Sequence, residues 1–390
     1  MIDRVLKTEC TGCGACGSVC PVSAITYVPE ELSNTWFPQI DYDTCIRCQK
    51  CEDACPALHD YTPSAETTAY AAYAADGKTQ LQASSGGVFP ALAQEVLSRG
   101  GAVFGGAWVD GEVRHVCVEA PEELWKLSGS KYVQSKVQDA FIRAKALLDS
   151  GQLVYFSGTP CQIAGLLRFL QKPYDNLITQ DLVCHGVPVP WLWKAYKAFL
   201  EEQHRSTLTD ISFKDKRSGT WYQYYVTARF ENGETYSVPF TKDPYMQLYL
   251  SDVCLRPACY NCKYKGQTRQ SDITLADFWG VERVVPEMKH TKGVSLLLLH
   301  SEKGHDLFES VRSKLKAAPV SDIAKALERN PAALRPSPKP ASYEAFWADA
   351  ENLPFPALAQ KYGAPHFKKS LPAKVRSLAG GILRKIGIRK

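Results

Sequence analysis

The sequence predicts an α/β chain in two unequal parts, a small α+β domain at the N-terminus and a larger mixed α/β body. Three observations carry that prediction. Eight of the fourteen cysteines fall before residue 60, in two copies of one spacing that flank two short strand-like runs. From Leu153 to Val183 a buried strand, a tight turn, a helix and a second strand succeed one another at the lengths of a βαβ unit. With 390 residues, 45% of them hydrophobic, the chain can bury two or three cores.

In the N-terminal part, Cys10-Thr-Gly-Cys13-Gly-Ala-Cys16-Gly-Ser-Val-Cys20-Pro21 recurs as Cys45-Ile-Arg-Cys48-Gln-Lys-Cys51-Glu-Asp-Ala-Cys55-Pro56. Each copy reads C-x2-C-x2-C-x3-C-P, the ligand spacing of bacterial ferredoxins that carry two [4Fe–4S] clusters. Three thiolates on one tight loop can grip one cubane, and the fourth, turned away by proline, serves the other. One cluster takes Cys10, Cys13, Cys16 and Cys55; the second takes Cys45, Cys48, Cys51 and Cys20. Zinc needs four ligands per site and has no use for this pattern twice over. Between the motifs, Ala24–Val28 and Phe37–Asp41 read as strands. Residues 1–60 thus form a ferredoxin-type domain, stabilised mainly by its clusters, and residues 57–68 a linker.

Residues 69–330 form the body. Ser84-Ser85-Gly86-Gly87 leads into an apolar helix over Val88–Leu97, with a serine cap and a proline in the first turn. Ala102–Val109 and Glu112–Glu119 read as a hairpin turned at Asp110-Gly111. Lys136–Leu148 is an amphipathic helix. Leu153–Phe156, Gln162–Leu170 and Leu177–Val183 then make the βαβ unit, which sets Cys161 and Cys184 at strand ends on one carboxyl edge, where α/β proteins bind ligands. Pro190–Glu202 is a helix, Tyr222–Phe230 and Thr235–Phe240 a hairpin, and Pro244–Leu250 a short helix. Ile273–Leu275 and Val294–His300 read as strands, and Gly304–Ala317 as a helix. Residues 331–390 read as a Pro-rich linker and a basic extension.

The net charge of +5 sits at that end. Eight Lys or Arg and no acid lie between Lys368 and Lys390, more than the whole excess, so the rest is mildly acidic. No basic stripe interleaves with aromatics, which excludes a nucleic-acid footprint. Leu371, Val375, Leu378, Ile382 and Ile386 recur at helical spacing, a pattern that fits weak contact with an anionic membrane surface; Gly380, Gly381 and Gly387 fit a solvated tail instead. Fourteen cysteines, with no apolar leader before Cys10, predict a reducing compartment, the cytoplasm.

A third group, Cys254-x4-Cys259-x2-Cys262, matches plant-type iron–sulfur spacing but lacks a fourth ligand; a cluster, a zinc site and unligated core cysteines all remain open on spacing. Around it, SSGGVF (Ser84–Phe89), GSKYVQS (Gly129–Ser135), SGTPCQIAGL (Ser157–Leu166), DLVCHGVP (Asp181–Pro188), LRPACYNCKYK (Leu255–Lys265) and DITLADFWG (Asp272–Gly280) resemble the coenzyme F420-reducing hydrogenase/formate dehydrogenase beta-subunit family. The likeness runs over residues 1–330 with the motifs in order. Ala276 departs from the family's glycine before Asp-Phe-Trp-Gly.

The resemblance implies an iron–sulfur flavoprotein with one FAD in the body and a third [4Fe–4S] cluster on Cys161, Cys184, Cys259 and Cys262, with Cys254 in reserve and Cys117 as strand core. It gives FAD the contacts Ser84, Ser85, Gly86, Gly87, Ser130, Lys131, Thr159 and Gln162; on the residues alone Ser84–Gly87 reads first as an ordinary capped helix start, Gly129–Tyr132 is as readily a surface turn, and Thr159 and Gln162 could touch either flavin or cluster. Lys214, Lys216 and Arg217 read as a charged turn, solvated or facing an anionic substrate, and His185 as a candidate acid or a structural loop residue. The expected activity is an FAD-dependent oxidoreductase. It would exchange electrons with ferredoxin or another redox protein and act on a soluble small molecule, a deazaflavin coenzyme being one candidate. The alternative is a non-catalytic subunit relaying electrons to a larger hydrogenase or dehydrogenase.

Overall fold

In the N-terminal domain, strands β1 (Ile25–Pro29) and β2 (Trp36–Ile40) pair antiparallel between two one-turn helices, α1 (Ala15–Ser18) and α2 (Lys50–Asp53). The computed structural model describes residues 1–64 and 66–364, so the basic extension lies outside the described residues. The hydrophobic cluster of this domain is little more than Ile2, Ile40 and three of its cysteines. That is too small a core to hold a fold without help.

The body is built on an eight-stranded mixed sheet. Its strands are β3 (Thr68–Ala74), β4 (Ala102–Val109), β5 (Glu112–Val118), β6 (Val154–Ser157) and β7 (Leu177–Leu182), followed by β11 (Ile273–Asp277), β12 (Ser295–Leu299) and β13 (Leu315–Pro319). A separate three-stranded sheet, β8 (Leu208–Thr220), β9 (Gln223–Phe230) and β10 (Thr235–Pro239), is inserted between β7 and β11. The large sheet has the order β13-β3-β12-β11-β7-β6-β4-β5, with β4, β6, β7 and β11 parallel at its centre and antiparallel strands outside. The hairpin turn falls at Asp110-Gly111, both with positive φ, as its Asp-Gly pair requires.

Helices α3 (Gly77–Gln82), α4 (Val88–Ser98), α5 (Gln138–Asp149), α6 (Pro160–Leu170), α7 (Pro190–His204), α8 (Pro244–Tyr249) and α9 (Glu302–Val311) complete the framework. One sheet face packs Val103, Tyr155 and Leu297 against α4 and α9; the other packs Phe104, Val154 and Phe156 against α5 and α6. Central strands covered on both faces read as apolar runs rather than alternations. A second core joins α7, α8 and the small sheet through Trp193, Tyr196, Phe213 and Tyr245.

Four expectations are corrected. The run Gly304–Ala317 is not one helix: α9 stops at Val311, and Leu315–Pro319 becomes the edge strand β13, paired with β3. The charged residues Lys214 and Lys216 do not lie on a solvated turn but inside β8, buried; the side chain of Arg217 lies outside the described residues. The body does not end at 330, because helices Tyr343–Ala350 and Phe355–Tyr362 set Phe346, Trp347, Phe355 and Leu358 into the second core. Finally, α4 is capped by Gly87 in the left-handed conformation and not by a serine; Ser85 Oγ donates to the Val294 carbonyl instead, 3.1 Å away.

Candidate functional site

The strand directions gather the chemistry at one edge. β3, β6, β7 and β11 all end there, and β12 begins there. The segments that follow those ends enclose a cavity of about 570 Å3, within the range of cofactor sites. Of the residues expected at the flavin, Ser84, Ser85, Gly87, Ser130, Lys131, Thr159 and Gln162 all line it. Gly86 does not: its N–H is taken by Ser295 Oγ at 3.0 Å, and a Cβ there would lie 2.4 Å from the Ala72 carbonyl. Gly86 therefore lets the loop lie against β3 and β12.

The loop is anchored from beneath by Lys216. Its buried ammonium donates to the carbonyls of Gln80, Ser85 and Lys292 at 2.7–2.8 Å, which uses all three of its hydrogens. Thr159 and Gln162 form a capping box on α6, the Thr159 N–H donating to Gln162 Oε1 at 2.9 Å, while both still face the cavity. Lys131 donates to the carbonyls of Ser128 (2.8 Å) and Gly129, and burial pushes its pKa down to about 8.

Sequence reasoning passed over His115, and it did not foresee that Lys214, read as part of a charged turn, pairs with Asp277 of the DITLADFWG motif. His115 lies in the cavity wall, between Ser135 Oγ (2.6 Å) and the Ser157 carbonyl (2.8 Å), and burial pushes its pKa down to about 4. The signal was present: in Glu112–Val118 the alternation places His115 on the same face as Val113. Lys214 pairs with Asp277 on the cavity wall, its ammonium 5.5 Å from the rings of both Tyr224 and Trp279. His185 is bound to Asp252 at 2.6 Å and lines the same cavity.

The cysteines fall into three groups. Cys20, Cys45, Cys48 and Cys51 line one cavity at the outer end of the N-terminal domain, with the Ala24 N–H 3.3 Å from Cys20 Sγ. Cys10, Cys13, Cys16 and Cys55 form an inner group: Cys13 and Cys16 each feel Cys55, Cys13 feels Cys16, and Cys16 and Cys55 both feel Cys10. Cys161, Cys184, Cys259 and Cys262 form a third, in which every pair interacts electrostatically. Cys254 stands apart, fully buried in the second core with its thiol 3.7 Å from the Leu248 carbonyl. Cys117 is half-buried against the α5–α6 core.

Burial first, and then the neighbouring sulfurs, push the Cys161 thiol up to about 12 and the Cys259 thiol higher still. Four converging thiols, three of which (Cys161, Cys184 and Cys259) are held back from ionising by burial, suit a cationic centre, whose charge would hold them as thiolates. Backbone N–H groups already point at the sulfurs, Val187 N lying 3.4 Å from Cys259 Sγ. Among the described residues no three His, Cys, Asp or Glu side chains converge as they do on a single ion; in the outer group the thiols instead surround a shared cavity. The inner and third groups are neighbours, since Cys13 feels Cys161 and a Cβ on Gly165 of α6 would lie 2.9 Å from Cys13 Sγ. Cys51 of the outer group shares a buried cluster with Cys16 and Cys55 of the inner one, and Cys184 also lines the large cavity, so the three sulfur groups and the cavity form a series.

Residues 151–323 match the family described as coenzyme F420 hydrogenase/dehydrogenase, C terminus of the beta subunit, and residues 9–58 and 37–87 match 4Fe-4S dicluster domains. The chain is similar to the F subunit of the F(420)H(2) dehydrogenase of Methanosarcina mazei, 25% identical over 81% of this chain and 86% of that protein. It is also similar to the coenzyme F420-dependent sulfite reductase of Methanocaldococcus jannaschii, 29% identical over 46% of this chain and 28% of that protein. A chain of the F420-reducing [NiFe] hydrogenase complex of Methanosarcina barkeri overlays with a TM-score of 0.44 at 15% identity, covering 77% of this chain and 91% of that one. Among the described residues no helix is long and apolar enough to cross a membrane. Residues 9–58 thus match a 4Fe-4S dicluster domain, and residues 151–323 match the C terminus of the coenzyme F420 hydrogenase/dehydrogenase beta subunit.

Proposed function

We propose that this chain is an iron–sulfur flavoprotein oxidoreductase that exchanges electrons with a redox protein and acts on a soluble small molecule, a deazaflavin coenzyme being one candidate. In this reading residues 1–60 hold two [4Fe–4S] clusters. Cys10, Cys13, Cys16 and Cys55 ligate the inner one, and Cys20, Cys45, Cys48 and Cys51 the outer. Cys161, Cys184, Cys259 and Cys262 ligate a third, and FAD lies in the large cavity against Ser84, Ser85, Gly87, Ser130, Lys131, Thr159 and Gln162. When bound, the clusters supply one-electron steps and the flavin converts between one- and two-electron chemistry. The chain's own work is to orient and to exclude water. The Lys216 ammonium fixes the Ser84–Gly87 loop, the Thr159–Gln162 box fixes the start of α6 beside Cys161, and His115 stays neutral as a hydrogen-bonding wall residue.

One observation carries the reading: Cys184 belongs to the third sulfur group and also lines the cavity that holds the expected flavin contacts. Anaerobic iron and flavin analysis tests it. The full chain should contain about twelve iron atoms, four for each of three clusters, and one FAD. Cys161→Ser should lose about four irons, and Cys254→Ser none. Full iron in Cys161→Ser, with loss in Cys254→Ser, would exchange the two ligands and overturn the assignment.

A second reading, a relay subunit without a substrate of its own, draws support from the naming of the Methanosarcina mazei relative as a subunit. Reduced flavin that a small-molecule acceptor reoxidises in the isolated chain supports the enzyme. Flavin reoxidised only when a large hydrogenase or dehydrogenase subunit is present supports the relay.

A further inference from the structure

Arg256 opens the turn that carries Cys259 and Cys262, yet its side chain reaches away from them into the N-terminal domain. It is fully buried. Nε donates to the Cys10 carbonyl at 2.7 Å, and one terminal nitrogen donates to the Trp36 carbonyl at 3.0 Å and meets Cys10 Sγ at 3.6 Å. The other terminal nitrogen donates to Gln134 Oε1 at 3.1 Å, and the ring of Phe37 lies 4.9 Å below the guanidinium. Gly12, at φ +68, leaves the space: a Cβ there would stand 2.7 Å from a guanidinium nitrogen.

Among the described residues no carboxylate pairs with this guanidinium. Glu30 feels its charge but is hydrogen-bonded to Lys7 and Ser33. A buried guanidinium without a carboxylate is expensive unless another negative centre faces it. Here the facing group is the sulfur of Cys10. Among the described residues the outer cysteines have no cation free of a carboxylate and shielded from water: Cys20 receives a neutral backbone N–H, Lys50 is exposed and screened by water, and the Met1 ammonium, whose charge Cys51 feels, is already paired with Glu52.

We propose that Arg256 is a positioning residue that raises the reduction potential of the cluster ligated by Cys10, Cys13, Cys16 and Cys55, and of that cluster alone among the two in the N-terminal domain. The proposal rests on the ligand reading given above. Reduction adds one electron, and so one negative charge, to an assembly of iron, sulfide and thiolates; no bond breaks and no proton is required. A fixed cation donating N–H to a ligating sulfur stabilises the more negative state, and hydrogen bonds to the sulfurs are a known determinant of cluster potential. Because Arg256 is on the same turn as Cys259 and Cys262, the residue that adjusts the inner cluster also fixes it against the third sulfur group.

The test is a potentiometric titration of the full chain, loaded with iron and sulfide under anaerobic conditions and followed by electron paramagnetic resonance. Cys48→Ser identifies the outer cluster's signal by removing it. In Arg256→Gln the iron content should hold, while the equilibrium constant for reducing the inner cluster falls at least tenfold, which for one electron is about 59 mV. The outer cluster should not move. Gln134→Glu keeps the guanidinium and sets a carboxylate against it, so it should shift the inner cluster in the same direction even if Arg256→Gln does not load. A purely mechanical clamp gives full iron with all potentials unmoved in both variants, or loss of the inner iron in both, and either result overturns the proposal. So does an equal shift of all clusters. A wild-type chain without cluster signals would remove the ligand reading itself, and is told apart by its iron content.

Discussion

His115 illustrates how a side chain in the cavity wall constrains the protein's response to acid. Its ring is buried, with Nε2 at the Ser157 carbonyl and Nδ1 at Ser135 Oγ, and burial lowers its pKa from 6.5 to about 4. Between those values the unfolded chain binds a proton that the folded chain refuses. Stability associated with this residue is therefore complete above about pH 6.5 and declines as the pH falls towards 4. Over that window the advantage of wild type over His115→Gln should shrink by about 3 kcal/mol. The buried carboxyls of Asp181 and Asp243, both raised to about 6 by burial, titrate there with the opposite sign, but they are common to both chains and cancel in the difference. Denaturant titrations of the two chains at pH 7, 5.5 and 4.5 check this; parallel curves would show that the ring is not held neutral. Lys214 and Lys216 make a related point. A lysine in a sequence reads as a surface residue, and only the convergence of three distant carbonyls, or of Asp277 with two aromatic rings, reveals a buried one.

Among the elements, α6 does the most to position the site, and it was also among the most legible. Its apolar face is periodic and the flanking strands are continuous apolar runs, although it begins at Pro160 on the Thr159–Gln162 capping box, two residues before the expected start at Gln162. Gly165 has a less obvious role. It lies at the contact with α1, where a Cβ would meet Cys13 Sγ at 2.9 Å and Cys13 Cβ at 3.0 Å. Alanine would raise intrinsic helix stability by about 1 kcal/mol, so any loss must come from that contact. Gly165→Ala should displace Cys13 and remove about four irons of twelve, leaving the outer cluster and the flavin in place; retention of all the iron would show that the helices can separate without consequence. By contrast β8 was not legible. Asp210, Lys214, Asp215 and Lys216 break its apolar alternation, and its pairing with β9 shifts register between Ser212 and Asp215 and again before Thr220. Strand β3 escaped for another reason: its alanines are held by pairing with β12 and β13 but carry little β signal of their own. The eight-cysteine pattern and the βαβ unit could be read because ligand spacing and strand length are local properties, whereas burial of a charge or an alanine is decided by partners hundreds of residues away.

At the scale of the whole molecule, the N-terminal domain is fastened to the body at several points. Arg168 of α6 donates to the Asp53 carbonyl at 2.6 and 3.0 Å, Lys263 to the carbonyls of Ala57 and His59, Lys194 to Asn34 at 2.8 Å, and Arg256 to Cys10 and Trp36. The small domain thereby gains the support that its own core does not provide. The second core receives similar help from the C-terminal helices, in a stretch whose prolines suggested only a linker. Phe346 and Leu358 there are fully buried, with Phe355 and Trp347 nearly so. Burying a large apolar side chain contributes about 1.5–3 kcal/mol, an upper bound because unfolded chains are partly collapsed. Four such residues together approach the roughly 5–15 kcal/mol that stabilises a whole domain. Since α7 and α8 line this core and the loop after α8 leads to Cys259 and Cys262, damage to it should reach the third sulfur group. A chain ending at Pro340 should therefore lose its cooperative thermal transition and the iron of the third group together. If it melts within a few degrees of the full chain with its iron intact, the helices are accessory, and the limit of the body returns to residue 330.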